Sequence, residues 1–511
     1  MLIAMVLSSL LHAEEVTLTG TVKDIAGDPL EGVTVTLAKI DSLSVKTTAD
    51  GSFTLTNVTS VLLPKDLTTT YGITFRNNAI VFTNGSEKLS GSVALYSMNG
   101  RMITSVSLGN HPTAQQHLAL TNMSAGTYLL AGTVNGNSFT RSLVCTGHNQ
   151  LRGQENLRST TGKTNREGTL RKASSFPAIV DTLVFSKDGY TTQRWPVNSL
   201  TKEKIRMVLR APGEKPVVFM TKELGPKGFL DIYEAVGYDL PGEIMVKVHN
   251  GEKNGKYFIS SNRMANLVDQ VNGTIVETCL GFSMEGVVYR DTPARNLQIS
   301  KDHGFDTIGQ GVDIIDTDGE ITLSVVGGTQ LKGEIDVGAN FTKYQASLVI
   351  SHFKGHGIAG FGGAIKNVSI GFASPNGKRW IHSGGQQKNT FSMNQGTTFQ
   401  KAMAEASKAV HDALEGNLVY INTVDNLTLL CDCDANMGQE PPVMDDIGML
   451  GSLDPIAIDQ ASCDLVLAAE GGQTLKNSIK DSQMKGLYGL EYGEEIGLGS
   501  TEYTLVDIDK Q

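Results

Sequence analysis

The chain has 511 residues, more than one ordinary domain holds, so about two to four domains are expected. Hydrophobic residues make up 40% of it and charged residues 19%, which is typical of a globular protein and excludes a largely disordered one. The formal net charge of -10 gives no reason to expect a nucleic acid as partner, because binding to phosphates needs an excess of basic side chains.

The chain begins "MLIAMVLSSLLHAEEV". Residues 2–11 are apolar but too few to span a bilayer, and Ala13 is a suitable cleavage position. We therefore expect a signal peptide over residues 1–13 and export to the periplasm, the outer surface or the extracellular space, although no basic residues precede the apolar stretch. The alternative is a buried N-terminal strand. No other apolar run could cross a membrane, so an integral membrane protein is not expected.

Residues 15–60 alternate Val, Thr and Leu with polar residues, and the turn sequences "AGDPLEG" and "ADG" interrupt them. Turn residues at this spacing predict an antiparallel β-sandwich. The pattern from Gly20 through Val35, followed by "DGSFTL", resembles the carboxypeptidase regulatory-like domain family. The closing strands that this resemblance implies come later, so we predict a split sandwich made of residues 15–62 and 177–210.

Residues 63–148 separate the two parts of the predicted sandwich. They contain "VALYSMNGRMI" and "MSAGTYLLAGTVNGNSFTRSLV", which resemble the small β-sandwich sorting domains that end many exported proteins of gliding-type secretion systems. Residues 149–176 lack apolar periodicity and carry several Arg and Lys residues, so we predict a flexible basic linker there.

Residues 217–511 have a different character. Apolar runs such as "EIMVKV", "GTIVET" and "ASLVISH" alternate with segments of helical periodicity such as "SNRMANLVDQV". In residues 399–414 the apolar positions Phe399, Met403, Ala406 and Val410 share one face of a helix. Alternating strands and helices predict an α/β domain with a largely parallel sheet.

Polar side chains follow three predicted strands of this domain, in "IMVKVHNGEKNGKYF", in "ASLVISHFKGH" and in "LTLLCDCDANMGQEPPV". Ligands of open α/β sheets bind where the strands end, so these clusters predict one shared site. His, Cys and Asp are common metal ligands, and lysines provide positive charge for a phosphate or carboxylate. Taken singly, each histidine is equally consistent with a hydrogen-bonded structural role, and each cysteine with a small buried side chain.

Residues 217–511 resemble the domain of unknown function 362 family, whose members are often described as uncharacterised iron-sulfur centre proteins. The matching motifs, in chain order, are "VKVHNGEKN", "DHGF", "SHFKGHGIAGFGGAIKNVSIGFAS" with "GKRWIHS", "CDCDANMGQEPPVMDDIGMLGSLDPIAIDQASCDLV" and "GLEYGEEIGLGSTEYTL". The resemblance implies one site but no named reaction. The candidate catalytic residues are His352, His356, Lys354 and Lys366; the candidate ligand-binding residues are Lys247, His249, Glu252, Asn367 and His382; and the candidate metal ligands are Cys431, Cys433 and Cys463.

One departure from the family limits what the resemblance implies about cofactors. Many relatives carry a ferredoxin-like insert with two four-cysteine runs, whereas this chain has no cysteine between residues 280 and 430. The usual pair of 4Fe-4S clusters is therefore not expected, since each cluster needs four thiolates. Zinc or iron held by the candidate cysteines and a histidine remains the alternative.

Three functional hypotheses follow. The chain is an exported metal-dependent or redox enzyme, with His352 or His356 as acid and base and lysines holding an anionic group. Alternatively, it binds a metal or a small anionic molecule without turnover. In the third hypothesis it is a cell-surface protein whose site has degenerated. The sequence leaves open whether the protein is an enzyme.

Overall fold

The computed structural model describes residues 14–38, 40–61, 72–76, 79–83, 91–97, 102–108, 115–119, 126–134, 137–145, 151–152, 179, 181–253, 255–281, 289–392, 394, 396–429, 441–477, 479 and 485–510. The chain divides into two compact units. One consists of Met1–Glu14 and Val58–Ser174, and the other of Glu15–Asn57 and Ser175–Gln511. In the described ranges, no helix combines the length and the apolar character that crossing a membrane requires.

The N-terminal part of the chain is built from short β-strands, as the turn spacing predicts. The strands are β1 (Glu14–Asp24), β2 (Thr34–Leu37), β3 (Ile40–Lys46), β4 (Ser52–Val61), β5 (Gly72–Arg76), β6 (Ala79–Thr83), β7 (Gly91–Ser97), β8 (Met102–Leu108), β9 (Gln115–Ala119), β10 (Gly126–Val134), β11 (Asn137–Cys145), β12 (Leu151–Arg152), β13 (Asp181–Ser186), β14 (Gln193–Val197) and β15 (Thr201–Leu209). Strands β5 to β12 form one sheet in the order β5-β6-β9 and another in the order β12-β11-β10-β7-β8.

Strands from both sides of the insertion form two facing sheets, in the orders β15-β1-β4 and β14-β13-β2-β3. Alternate residues of β13 are buried, which is the pattern of a strand with one face on a core. Phe53 of β4 and Phe185 of β13 meet edge to face with their ring centroids 5.6 Å apart, so side chains from both sheets fill the space between them. The prediction of a β-rich N-terminal region is confirmed.

Residues 217–510 form the α/β domain. Its strands are β16 (Val217–Thr221), β17 (Ile244–Val248), β18 (Thr274–Glu277), β19 (Val312–Ile314), β20 (Glu320–Ser324), β21 (Glu334–Gly338), β22 (Ala346–His352), β23 (Lys354–His356), β24 (Gly360–Gly362), β25 (Leu418–Val424), β26 (Gly448–Ser452) and β27 (Thr504–Asp507). Its helices are α1 (Pro226–Val236), α2 (Ser261–Gln270), α3 (Pro293–Asp302), α4 (Ala364–Phe372), α5 (Pro375–His382), α6 (Thr397–Ala413), α7 (Pro455–Ala468), α8 (Gln473–Lys476) and α9 (Gly486–Glu495). Short 3-10 helices span Phe305–Thr307, Ala339–Lys343 and Ile508–Lys510.

The central sheet has eight strands in the order β19-β18-β17-β22-β25-β26-β16-β27. All neighbouring strands are parallel except β26, which is antiparallel to β25 and to β16. Every residue of β17 and of β22 is buried, which explains why both read as continuous apolar runs. The predicted α/β domain with a largely parallel sheet is therefore confirmed.

The chain changes direction across the sheet between β17 and β22. From β17 it continues through α2 to β18 on one side, and from β22 it continues through α4, α5 and α6 to β25 on the other. Ligands of such sheets bind in the crevice at this switch point, beyond the carboxyl ends of the strands. Helix α4 packs on both β17 and β22 and so forms one wall of that crevice.

Helix α6 confirms the helical periodicity predicted for residues 399–414. Phe399, Met403, Ala406 and Val410 are all buried in the core of the α/β domain. One predicted strand, "LTLL", was wrong, because its described residues Leu427, Thr428 and Leu429 are not part of the sheet. The strand before it, β25, ends at Val424, and the left-handed backbone at Asn426, with φ 48°, turns the chain away.

The split sandwich packs against the α/β domain through polar contacts. Arg206 forms an ion pair with Asp239 at 2.8 Å, and the Trp195 indole donates to the carbonyl oxygen of Asp239 at 2.8 Å. Arg210, at the end of β15, forms a second ion pair with the buried carboxylate of Asp454 at 2.8 Å. These contacts fix the sandwich to the domain that carries the polar strand ends.

Candidate functional site

A cavity of about 110 Å³ lies at the switch point, beyond the carboxyl ends of β17 and β18 and against α4 and α5. The charged and imidazole side chains that line it are Lys247, His249, Glu277, Arg290, His356, Lys366, Lys378 and His382. Several water molecules or one small ligand fit a space of this size. Two of the three predicted polar clusters therefore contribute to one site.

Lys247 and Glu277 form a buried ion pair across two neighbouring strands. The Lys247 Nζ atom lies 3.1 Å from Glu277 Oε2, and both side chains are almost fully excluded from solvent. Burial lowers the pKa of Lys247, against the opposing attraction of Glu277. Burial alone would raise the pKa of Glu277, but the cations Lys247, Arg290 and Lys378 outweigh burial and hold that pKa below its usual value. Glu277 is thus an anion surrounded by cations.

Arg290 joins this pair to the residues that follow β17. Its Nε donates to Glu252 Oε1 at 2.7 Å, and its Nη2 lies 3.1 Å from His249 Nε2. The backbone N–H of Gly251 donates to the other ring nitrogen of His249 at 3.0 Å. His249 is thereby fixed in orientation, and Glu252 is a partner of Arg290 rather than a wall of the cavity.

Helix α5 contributes Lys378 and His382, which lie one turn apart. The Lys378 Nζ atom donates to the Thr278 hydroxyl, and to the Ala373 carbonyl oxygen at 2.9 Å. Burial lowers the pKa of Lys378 to about 8, although Asp316 and Glu277 oppose this. A lysine with this pKa exchanges a proton near neutral pH more readily than an exposed lysine does.

The tautomer of His382 is set by the same helix. Its Nδ1 lies 2.7 Å from the Lys378 carbonyl oxygen, which can only accept, so Nδ1 carries the proton. Burial lowers the pKa of His382 to about 4, with the charges of Lys366 and Lys378 adding to the effect. The neutral ring therefore has an unprotonated Nε2 at the cavity wall.

His356 has the opposite tautomer. Its Nδ1 accepts the backbone N–H groups of Ile358 at 3.1 Å and Ala359 at 3.0 Å, so Nδ1 carries no proton. Burial, together with Lys366, His382 and Lys354, lowers the pKa of His356 well below its ordinary value. The neutral ring then has a proton on Nε2. This geometry suits donation of a hydrogen bond, rather than the acid and base exchange expected from the sequence.

Helix α4 places Lys366 and Asn367 at the cavity. Asn367 Nδ2 donates to the Ile350 carbonyl oxygen at 2.9 Å and to the Lys247 carbonyl oxygen at 3.2 Å, so it joins the ends of β17 and β22. Gly371, one turn further on, leaves room for the Lys247 side chain, because a Cβ there would lie 2.1 Å from Lys247 Cε. Asn367 is thus a structural bridge, and Lys366 adds a positive charge to the wall.

His352 and Lys354 are adjacent to this cavity but form a separate contact. His352 Nε2 donates to the Asp425 carbonyl oxygen at 2.7 Å, and its Nδ1 accepts from Lys354 Nζ at 3.5 Å. Both side chains are more than nine-tenths buried. They join the ends of β22 and β25 instead of lining the cavity wall.

The glycine-rich loop before α4 has a role that the sequence did not predict. Glycines at positions 360, 362 and 363 could let the backbone approach a ligand closely, but at Gly363 the backbone approaches the buried carboxylate of Asp459. That carboxylate accepts from the N–H groups of Ala364 at 2.7 Å and Ile365 at 3.0 Å. A Cβ at Gly363 would lie 2.3 Å from Asp459 Oδ1. The amino end of α4 is therefore occupied by an anion of the protein itself.

The candidate cysteine site is only partly described. Cys431 and Cys433 lie outside the described residues, whereas Cys463 is buried in α7, where burial raises the pKa of its thiol well above the ordinary value. Within the described ranges, His, Cys, Asp and Glu side chains form no group of three that could hold a metal ion. A zinc or iron site with Cys431 and Cys433 remains a prediction.

Sequence reasoning missed three charged residues of the cavity. Glu277 is the last residue of β18, in the run "GTIVET", where a carboxylate at the end of a buried strand was an available signal. Lys378 lies four residues before His382, which on a helix places both on one face. We find no local signal for Arg290, because its partners Glu277, Glu252 and His249 are 13, 38 and 41 residues away along the chain.

Comparisons with known proteins bear on the same region. Residues 244–464 match the family described as "Domain of unknown function (DUF362)", and this range contains every residue that lines the cavity. The predicted resemblance is thus confirmed for that domain. No curated protein matches the chain.

Among solved structures, the chain is similar to the lactate racemase apoprotein from Thermoanaerobacterium thermosaccharolyticum. The identity is 14% and the TM-score is 0.28. The match covers 48% of this chain and 56% of that protein, so the chain matches little more than half of its length.

Proposed function

We propose that the DUF362 domain binds a small anionic ligand in the cavity at the switch point. The observation that carries this proposal is the charge of the cavity wall. Among the described side chains that line the cavity, one is a carboxylate and four are cationic, namely Lys247, Arg290, Lys366 and Lys378. The carboxylate, Glu277, is already paired with Lys247 at 3.1 Å.

Carboxylates behind the wall offset part of this charge. Glu252 pairs with Arg290, and Asp316 acts on Lys378. Cations that line one small buried space repel one another, and a bound anion would reduce that repulsion.

Binding is the best-supported function, and proton transfer would be an addition to it. Lys378, with its pKa of about 8, is the group in this cavity best suited to exchange a proton with a bound ligand near neutral pH. The metal-dependent and redox hypotheses depend on Cys431 and Cys433, which lie outside the described residues.

Anion titrations on the full chain test the proposal. Calorimetry and thermal unfolding at low ionic strength would use phosphate, sulfate, nitrate and acetate, since a ligand that binds only the native state raises the melting temperature. We expect Lys366→Gln to weaken the affinity about tenfold, a loss of about 1.4 kcal/mol. Lys301→Gln, at an exposed site of α3, is the matched control. The proposal is wrong if none of these anions binds, or if both variants bind as the unmodified chain does.

We also infer that the chain is exported and that the N-terminal sandwich is an accessory module of the carboxypeptidase regulatory-like type. The apolar residues 2–11 and the motif from Gly20 through Val35 support this inference. Comparing the secreted and cellular fractions of a bacterial host would test export. Retention of the whole chain in the cytoplasm would contradict it.

A further inference from the structure

The two histidines of the cavity have complementary hydrogen-bonding capacities. His356 Nδ1 accepts two backbone N–H groups, and His382 Nδ1 donates to a backbone carbonyl. Each Nδ1 is thus committed to the backbone, and each Nε2 is the nitrogen that remains for a ligand. In the neutral rings, His356 offers an N–H donor and His382 offers a lone pair.

The surroundings keep both rings neutral. Burial is the largest cause of the lowered pKa of each histidine, and Lys366 adds to the effect in both. Lys366 therefore lies close to both rings, and its ammonium repels a second positive charge on either of them. The surroundings of the two rings therefore keep His356 Nε2 as a donor and His382 Nε2 as an acceptor near neutral pH.

An anion without a proton fits this pair poorly. Its oxygen lone pairs would suit His356 Nε2–H and Lys366, but they would oppose the lone pair of His382 Nε2. An anion that retains one O–H group satisfies all three side chains. A ligand that leaves a buried polar group of the site without a hydrogen bond binds much more weakly, because that group has given up its hydrogen bonds to water without replacing them.

We propose that the cavity selects an oxyanion that carries a proton, with His382 Nε2 accepting from the ligand O–H and His356 Nε2–H donating to a ligand oxygen. This inference rests on the proposed anion-binding function and specifies the chemistry of the ligand. Monohydrogen phosphate and hydrogencarbonate both have this chemistry, one tetrahedral and the other planar.

Two matched pairs of anions test the selection on the full chain by calorimetry at about pH 7.5. Monohydrogen phosphate is compared with sulfate, and hydrogencarbonate with nitrate, so that charge and shape agree within each pair and the proton differs. We expect the protonated anion to bind about tenfold or more tightly in at least one pair. The pair that shows the preference indicates whether the natural ligand is tetrahedral or planar at this position.

Variants of His382 connect the preference to the proposed acceptor. His382→Phe fills the space beside Phe391 and Phe399 but cannot accept, and His382→Gln can turn its amide N–H toward an unprotonated oxygen. We expect the preference to fall to less than about threefold in each variant that folds. His411→Gln, at the end of α6 and outside the cavity, should keep the full preference.

The outcomes separate the two proposals. If no anion binds, the proposed function itself fails. If both members of each pair bind equally, or if the preference survives in both His382 variants, anion binding stands and proton selection is overturned.

Discussion

The stretch "SHFKGHGIAGFGGAIKN" builds two neighbouring anion-favouring sites that differ in what fills them. At the amino end of α4, backbone N–H groups point at Asp459, a carboxylate of the chain itself. In the cavity beside the same helix, Lys366 and three further cations face a space of about 110 Å³. The first site is complete within the protein, whereas cations outnumber carboxylates among the described side chains that line the second.

This difference shows why a glycine-rich loop before a helix does not by itself identify a ligand site. The free N–H groups at a helix start attract any anion, and a buried Asp satisfies them as well as a phosphate does. The discriminating feature is a cavity whose described lining is mainly cationic. Substitutions in the filled site should therefore change stability, and substitutions in the cavity should mainly change ligand binding.

The largest effect of a substitution on stability is expected at the amino end of α4, where Asp459 accepts the free N–H groups. Asp459→Ala removes the acceptor for two N–H groups of α4 and for Asn422 Nδ2, which donates at 2.8 Å. We expect a loss of about 3 kcal/mol in the free energy of unfolding, measured with urea. Burial raises the pKa of Asp459 to about 6, so the isosteric Asp459→Asn should cost less.

The exposed Asp302, which accepts from Gln298 at 2.8 Å, provides the control for Asp459. Asp302→Ala should change the free energy of unfolding by less than about 0.5 kcal/mol. Equal losses for Asp459→Ala and Asp302→Ala would show that the carboxylate at α4 is dispensable.

An intermediate effect is expected at Gly371, where the helix and the cavity meet. An alanine Cβ would lie 2.1 Å from Lys247 Cε and would force the ammonium away from Glu277. Ala normally favours a helix over Gly by about 1 kcal/mol, so a measured loss of about 2 kcal/mol would mean that the collision outweighs this preference. Anion affinity should fall together with stability.

Gly362→Ala is the matched substitution for Gly371→Ala. A Cβ at Gly362 would lie 3.5 Å from Lys366 Cδ, which is an ordinary contact. We expect urea unfolding and anion titration of this variant to resemble those of the unmodified chain. A larger loss at Gly362 than at Gly371 would contradict the steric argument.

The sequence predicted the strands that position the site better than it predicted the charged side chains that line it. Continuous apolar runs identified β17 and β22, because a strand buried on both faces leaves that pattern. The residues that follow those strands, such as His249 and His356, were found because strand ends of parallel sheets share an edge. Local apolar periodicity therefore identified both the buried strands and the polar residues at their ends.

The sequence alone did not identify which residues would pair with one another in and beside the site. Asp459 lies 95 residues after the helix end that it satisfies, and Arg290 lies 38 residues after Glu252. Nothing in the local pattern distinguishes a carboxylate that fills a helix end from one exposed to solvent. Which cations line the cavity, and which carboxylates pair with them, depends on such long-range contacts and requires the fold.

Lys378 should show the reverse of Asp459, with a change in binding and little change in stability. Burial lowers the pKa of Lys378 to about 8, so the fold does not favour its charge. We expect Lys378→Met to reduce anion affinity about tenfold, equivalent to about 1.4 kcal/mol, and to leave the free energy of unfolding within about 1 kcal/mol. Loss of stability with unchanged affinity would assign Lys378 to the structural site instead.

The last effect is expected in the pH dependence of stability, and it accumulates gradually over the pH range in which His382 titrates. The pKa of His382 is about 4 in the folded chain, below its ordinary value of 6.5, so as the pH falls the unfolded chain takes up the proton first. Stability is therefore lost between about pH 6.5 and 4, by up to roughly 1.4 kcal/mol per pH unit for this one group. His356 also lowers the stability as the pH falls. Asp459, whose pKa is raised in the folded chain, increases the stability as the pH falls.

Comparing variants isolates the contribution of His382 from those of the other groups. Urea unfolding of the unmodified chain and of His382→Phe across this pH range should give curves whose difference in stability narrows as the pH falls, because the variant no longer carries the titrating ring. A constant difference between His382→Phe and the unmodified chain would mean that His382 titrates alike in the folded and unfolded states. Its Nε2 would then carry a proton in mildly acidic solution, and the cavity would offer two donors instead of a donor and an acceptor.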